Sequence, residues 1–324
     1  MGIYLNPGNQ GFRESIRSKI YVDKTNLIAC TNEMMNTNDK YICVTRPRRF
    51  GKSMALEMLA AYYSSGCDSR ELFAGFKIEN DESFPEHLNQ CEVVYLNMQH
   101  FLIRADCGKV TKYLEQQVMG ELQEKYAHIL KGQDIGLATA LGKIYAKTDR
   151  QFVILIDEWD CVMRERQEAE ALQKQYLDFL RNLLKDQPYV ALAYMTGILP
   201  VKKYGQHSAL NMFWEYSMTN QYMLEEYTGF TEDEVKALCA RFDMDFEKVS
   251  DWYDGYRLRR FHHIYNPRSV VAAMRGGVLS NYWTSTENYE ALKVYMDMDF
   301  DGLRSDSADA GRRAGEGQHP QLSE

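Results

Sequence analysis

A mainly parallel α/β sheet flanked by helices, followed by a smaller and mostly helical C-terminal domain, is the fold that three observations in this 324-residue sequence predict. The first is an apolar run, Tyr41-Ile42-Cys43-Val44, which enters Thr45-Arg46-Pro47-Arg48-Arg49-Phe50-Gly51-Lys52-Ser53 and leaves as Met54-Ala55-Leu56-Glu57-Met58-Leu59 at helical spacing. The β-branched and aromatic run reads as a buried strand, and the segment after Ser53 as a helix. The second is Phe152-Val153-Ile154-Leu155-Ile156, an uninterrupted apolar run ending in Asp157-Glu158. Strands covered on both faces of a parallel sheet read this way. The third is the capping-box pattern Thr231-Glu232-Asp233-Glu234, with Val235, Leu238, Cys239 and Phe242 as an apolar stripe behind it.

In chain order, a polar leader over residues 1–30 contains Phe12-Arg13, Ile16-Arg17 and Tyr21-Val22-Asp23-Lys24-Thr25. Asp23 or Thr25 is placed to cap a short helix through Leu27 and Ile28. The strand, tight loop, Gly-Lys-Ser and helix that follow are the context of a P-loop. Gly51 lets the backbone approach a phosphate closely, and the N–H groups and dipole of the new helix favour the anion. Lys52, expected to be exposed on the loop, reaches the outer phosphates, and the Ser53 hydroxyl suits Mg²⁺. Arg46, Pro47, Arg48, Arg49, Phe50, Gly51, Lys52, Ser53 and Met54 are therefore the candidate nucleotide-binding residues, with ATP and Mg²⁺ as ligands. The usual pattern has a glycine where this chain has Arg46, so a basic strand-to-helix turn that binds no nucleotide is the competing reading.

The helix after the loop ends near Ser64-Ser65-Gly66, and a polar loop leads to a second strand, Val93-Val94-Tyr95-Leu96-Asn97. Residues 110–130 and 135–146 read as two helices, with Leu114, Val118, Leu122 and Ile129 near one face. They fill a separation of 105 positions between Lys52 and Asp157, long for a minimal nucleotide domain. Ligand-binding residues of parallel sheets lie at the carboxyl ends of strands. Asp157 is thus placed to hold Mg²⁺ with Ser53, and Glu158 to polarise an attacking water. Residues 165–185 form a further helix, and Tyr189 to Met195 a fourth strand ending at Thr196-Gly197. Thr196 is the candidate contact to the terminal phosphate or the water, although a Thr-Gly strand exit is also an ordinary turn. Glu158, Lys52 and Thr196 make up the candidate catalytic set. Residues 200–220 read as a loop with Lys202, Lys203, His207, Asn211 and Asn220.

The C-terminal part is rich in aromatics, among them Trp252, Tyr253, Tyr256, Tyr282 and Trp283. Packing of a small core accounts for them better than a stacking platform for bases. Arg257, Arg259, Arg260, His262 and His263 form a basic cluster that reads as a solvated loop, with a nucleic-acid site as the alternative.

Composition fits an enzyme-sized globular protein. A formal net charge of −8 argues against a chain covered in a general nucleic-acid-binding surface and leaves room for a local basic patch. Seven cysteines without a Cys-x-x-Cys pair suggest reduced core thiols and a cytoplasmic setting. No apolar stretch reaches membrane-spanning length, and no signal-peptide pattern opens the chain. The histidines and cysteines have no zinc spacing, so no structural zinc is expected.

Tyr21-Val22-Asp23-Lys24-Thr25, Arg46-Pro47-Arg48-Arg49-Phe50-Gly51-Lys52-Ser53 and Leu155-Ile156-Asp157-Glu158-Trp159-Asp160 together resemble the AAA-ATPase-like family of bacterial proteins. Thr196-Gly197-Ile198, Gly229 to Val235, Trp252 to Tyr256 and Tyr265-Asn266-Pro267-Arg268-Ser269 agree, so the resemblance runs from about Gly11 to Leu303. It implies a P-loop NTPase fold, ATP binding, and Arg-Pro-Arg-Arg in the loop as a family trait. The expected domains are the leader, a P-loop ATPase domain over 31–228, a helical domain over 229–303, and a tail over 304–324. Members of the family often continue into a PD-(D/E)XK nuclease-like domain. Here the pattern stops at Leu303, and the composition of 304–324 predicts a disordered tail, native or produced by a frameshift or truncation, with no nuclease activity in the chain. The function expected is Mg-ATP hydrolysis coupled to a conformational change. Its rivals are a nucleotide-gated binding module without turnover and a nucleic-acid-associated ATPase. A protein or nucleic-acid partner and the oligomeric state stay open, as does any arginine finger.

Overall fold

Five parallel strands carry the fold: β1 (Tyr41–Thr45), β2 (Glu92–Asn97), β3 (Phe152–Asp157), β4 (Val190–Gly197) and β5 (Trp214–Tyr216), in the order β2-β3-β4-β1-β5. The protein is seen in a computed structural model that describes residues 1–105, 108–201, 210–218, 222–256 and 263–282. The chain divides into Met1–Ser280 and Asn281–Glu324, and every element named here belongs to the first. Lys202, Lys203, His207, Asn220, Arg257, Arg259, Arg260, His262, Trp283 and the 304–324 tail lie outside the described residues.

β1, β3 and β4 are buried along their whole length, which is why they read as continuous apolar runs. The register sets Asn97 opposite Asp157 and Val44 opposite Thr196. Because all strands run the same way, Asn97, Asp157, Thr196 and the exit of β1 reach the same edge of the sheet.

The helices of the sheet region are α1 (Gln10–Ile16), α2 (Leu27–Met34), α3 (Lys52–Tyr63), α4 (Phe84–His87), α5 (Met98–Arg104), α6 (Val110–Lys125), α7 (Ala127–Leu130), α8 (Leu137–Thr148), α9 (Cys161–Glu165) and α10 (Glu170–Leu184). α3 lies over β2, β3 and β4 and buries Leu56, Leu59, Tyr62 and Tyr63 completely. Each such side chain contributes about 1.5–3 kcal/mol. The sequence-predicted helix over 110–130 is broken at Tyr126, and that over 165–185 begins only at Glu170, after the separate turn of α9. In the leader, Asn26 takes the N-cap place of α2 without a side-chain cap bond. Asp23 instead accepts from the Thr25 N–H at 2.8 Å, the Thr25 hydroxyl at 2.7 Å and the Lys77 N–H at 2.9 Å, tying the leader to the loop after α3.

The C-terminal helices are α11 (Glu232–Phe242), α12 (Phe246–Tyr253) and α13 (Pro267–Gly276). They are joined by a three-stranded antiparallel sheet that the helical reading did not contain: β6 (Phe230–Thr231), β7 (Asp254–Tyr256) and β8 (Ile264–Tyr265), in the order β6-β8-β7. Strands this short give no periodic signal. The capping box forms as expected, with Thr231 and Glu234 exchanging bonds at the start of α11. Glu234 also receives the buried Lys24 ammonium at 2.6 Å, and the same ammonium donates to the Glu226 carbonyl.

Candidate functional site at the carboxyl edge of the sheet

The loop between β1 and α3 is rooted by Arg46. Its guanidinium is fully buried, and Nη1 donates to the Thr45 and Tyr216 carbonyls at 2.9 Å each. A large side chain is accommodated here because it reaches across to β5 instead of the loop mouth. Beyond Pro47, Arg48 is half-buried and Arg49 exposed. Arg49 and Gly51 both have positive φ, +70° and +83°. A Cβ added at Gly51 would meet nothing within 4 Å, so the loop presents open space against bare backbone. Met54 is 43% exposed on the first turn of α3, and Ser53 is exposed beside it. Phe50 differs from its neighbours: its ring is buried against Ile264 and Met218, leaving only its backbone on the loop.

Lys52 is not the exposed side chain that its place on a loop suggests. It is 5% exposed, and its Nζ donates to the Arg46 and Pro47 carbonyls at 2.9 Å each. Burial lowers its pKa, opposed by the nearby Glu158, Asp160 and Asp157 carboxylates. Such folding back is what an ammonium does when the nearest acceptors are its own loop's carbonyls.

Asp157 is the hub of the site. Its Oδ2 accepts from the Ser53 hydroxyl at 2.7 Å and from Asn97 Nδ2 at 3.4 Å. Its Oδ1 accepts from the Thr196 hydroxyl at 2.6 Å. One carboxylate thus joins the start of α3 to the ends of β2, β3 and β4. Glu158 sits next to it with φ +55°, and its carboxylate is held by Arg164 of α9. Burial raises the Glu158 pKa, while Arg164 and then Lys52 oppose the rise. Arg164 also holds Asp160 at 3.0 Å. Asp160 in turn accepts from the Ile198 and Leu199 N–H groups at 3.0 and 2.8 Å, fixing the chain just past Thr196. Gly197 is required there. A Cβ would lie 2.6 Å from the Trp159 ring and 2.8 Å from Asp160.

The donor set fits Mg²⁺. A hydroxyl and a carboxylate oxygen, side by side at a helix start, are the hard oxygen ligands this ion prefers, with water and phosphate completing the shell. Among the described residues no group of three or more His, Cys, Asp or Glu gathers around a metal position. Ser53 and Asp157, bonded to each other at 2.7 Å, are the oxygens that such an ion would meet here.

Reasoning from sequence named Ser53, Asp157, Glu158 and Thr196, and the structure brings them together with Lys52. It missed Asn97, Arg164, Asp160 and Gly197. Asn97 was within reach of the rule that strand ends carry ligands. Arg164 had no signal, because it is placed by the fold of α9.

A model of the family described as predicted AAA-ATPases matches residues 8–206, more than half of the chain, a span that takes in the β1–α3 loop, Asn97, Asp157, Glu158, Arg164 and Thr196. The chain belongs to this AAA-ATPase-like family. A curated relative, described as an uncharacterized protein in the vnfD 5′ region of Azotobacter chroococcum mcd 1, is 24% identical over 283 residues. The match takes in 82% of this chain and 50% of that protein, so this AAA-ATPase-like chain spans about half the length of the curated relative. Among solved structures, domain III of the Thermotoga maritima replication initiation protein DnaA is similar at 13% identity and a TM-score of 0.36, covering 86% of this chain and 94% of that one. A DnaA bound to AMPPCP and single-stranded DNA follows at 11% and 0.34, covering 84% and 63%. A structure of katanin self-assembly gives 13% and 0.34, covering 86% and 70%. Likeness at this level carries no residue-by-residue correspondence.

Proposed function

We propose that the chain binds Mg-ATP on the loop between β1 and α3 and hydrolyses it, coupling turnover to a conformational change. The observation that carries this reading is the single carboxylate of Asp157 bonded at once to Ser53 and Thr196. The N–H groups at the start of α3 and the bare backbone of Gly51 receive the phosphates, helped by the helix dipole. Lys52 leaves the Arg46 and Pro47 carbonyls for a phosphate oxygen, exchanging neutral acceptors for a charged one. Ser53 and Asp157 would hold Mg²⁺, an ion that would supply charge neutralisation for the phosphates. Glu158 orients the water once it is released from Arg164, and Thr196 faces the terminal phosphate from the end of β4. The setting that goes with this reading is the bacterial cytoplasm. No helix of the described residues is long and apolar enough to cross a membrane.

The test is phosphate release by the purified chain beside its Glu158→Gln form. The variant is expected to bind Mg-ATP and release little phosphate. A parent that does not bind Mg-ATP would refute the reading. A second reading, a nucleotide-gated binding module without turnover, is favoured by the Arg164 contact that occupies Glu158. A parent that binds Mg-ATP but releases phosphate no faster than the protein-free control would give it the advantage, whereas equal release above that control by parent and Glu158→Gln would take the water-orienting role from Glu158. For the nucleic-acid reading, His263 is the described member of the basic cluster, and it is engaged by Asp254 and faces Glu232.

A further inference from the structure

The residue just before Gly51-Lys52-Ser53 turns its side chain out of the nucleotide site and into the C-terminal part of the same unit. Phe50 is 1% exposed, and its ring packs on Ile264 of β8. Its carbonyl accepts from the Gly229 N–H at 3.0 Å. Gly229 has φ +92°, and a Cβ there would lie 2.5 Å from Ile264 and 3.2 Å from the Phe50 ring. The seat therefore closes on Phe50 as tightly as a glycine permits. Gly229 leads directly into β6, whose Phe230 and Thr231 pair with Tyr265 and Ile264. Thr231 then caps α11. Contacts thus run without a break from the phosphate loop through a two-strand ladder to the first turn of a C-terminal helix. On the loop side, Phe50 stands between two residues of positive φ, Arg49 and Gly51. Positive φ is unfavourable for a residue with a Cβ, so Arg49 is a strained position next to the Phe50 anchor.

We infer that Phe50 is a positioning residue through which the β6–β8 ladder and α11 set the shape of the phosphate loop, and through which the loop's occupancy is passed back to them. The functional meaning of the contact rests on the Mg-ATP reading, since phosphate would seat on amides one to three residues away. Linkage makes the coupling reciprocal: whatever the ladder does to nucleotide affinity, nucleotide does to the ladder.

Hydrogen exchange on the whole chain tests this in two arms. Without ligand, Phe50→Ala is expected to speed exchange of the Gly229 N–H and of residues 264–265 by about tenfold or more, and Phe50→Leu to restore most of it. Ile264→Ala, changed on the far side, is expected to speed the Ala55 N–H, which donates to the Gly51 carbonyl at 3.0 Å. Should Ile264→Ala not fold, Ile264→Val replaces it with the same direction expected. Ala55 exchange within twofold of the parent in the folded variant overturns the inference. With saturating Mg-ATP, the parent is expected to gain protection at Gly229 and residues 264–265. Phe50→Ala is expected to bind Mg-ATP more weakly, by the same linkage, and at Mg-ATP raised until it too is saturated should show little of that gain. A variant that gains as much as the parent also overturns the inference. A parent that shows no Mg-ATP binding counts against the proposed function, and the ligand-free arm then decides the coupling by itself.

Discussion

Lys52→Met separates the binding role of the ammonium from its structural one. The parent ammonium is buried and donates to two loop carbonyls at 2.9 Å. On phosphate it makes a charge-assisted contact of about 1.5–3 kcal/mol, so its loss weakens Mg-ATP binding roughly tenfold to a hundredfold. Stability without ligand moves differently. The folded pKa of Lys52 lies below its ordinary 10.5 because of burial, so the charged form is less favourable in the fold than in the unfolded chain. That unfavourable contribution is complete below the lowered pKa and fades as pH rises through it toward 10.5, an interval in which the unfolded chain alone still holds the proton. Methionine removes it but leaves two carbonyls to find water. The two effects oppose, and the ligand-free stabilities should agree within about 1 kcal/mol at neutral pH. The parent should gain on the variant as pH rises. Thermal unfolding with and without Mg-ATP is the assay. At a hundred times the parent Kd, ligand stabilises the parent by about 2.7 kcal/mol, and the variant by about 0.4–1.4 kcal/mol. A variant with the parent's full ligand-induced shift would refute placement of Lys52 on the phosphates.

Arg164→Ala frees Glu158 and removes one partner of Asp160, so phosphate release should change while Mg-ATP affinity holds within about threefold; equal release by parent and variant in a steady-state assay would show the contact to be idle. Asp157→Asn should weaken binding of ATP with Mg²⁺ but not of ATP with chelator, measured by calorimetry in both conditions. Gly197→Ala should destabilise the fold by about 1–3 kcal/mol in denaturant unfolding, because Trp159 is fully buried and has nowhere to retreat. An unchanged midpoint would mean that the ring and Asp160 have room that the geometry does not show.

Much of the site was readable because its residues sit at the ends of strands that announce themselves. β1 and β3 are continuous apolar runs, and Ser53, at the start of the helix after β1, and Asp157, at the end of β3, follow from the sequence alone. The inaccessible part is what tertiary contact decides. Nothing local in Phe50 says that its ring leaves the loop for Ile264, more than two hundred residues away in sequence. Nothing local in Arg164 says that it meets Glu158, since α9 spans only Cys161–Glu165 and has no periodic pattern to read. Lys52 was misjudged for a related reason. A loop lysine is exposed by default, and only the curl of this loop brings two of its carbonyls within reach. β5 and the β6-β8-β7 sheet escaped notice because strands of two or three residues fall below the length at which alternation can be recognised.

The Lys24–Glu234 contact bears on the order in which the molecule assembles. The partners are 210 positions apart. At translation rates of roughly 5–20 residues per second, Lys24 leaves the ribosome roughly 10–40 seconds before Glu234 does. Through that interval the Tyr21–Thr25 segment cannot take its native place without burying an ammonium whose carboxylate partner has not been made. A contact of such long range also closes late in refolding, because its loop entropy must be met before the pairing can compensate. The Tyr21–Thr25 segment, made well before Glu234, is in this sense among the last to settle, and its docking marks the arrival of the C-terminal helices.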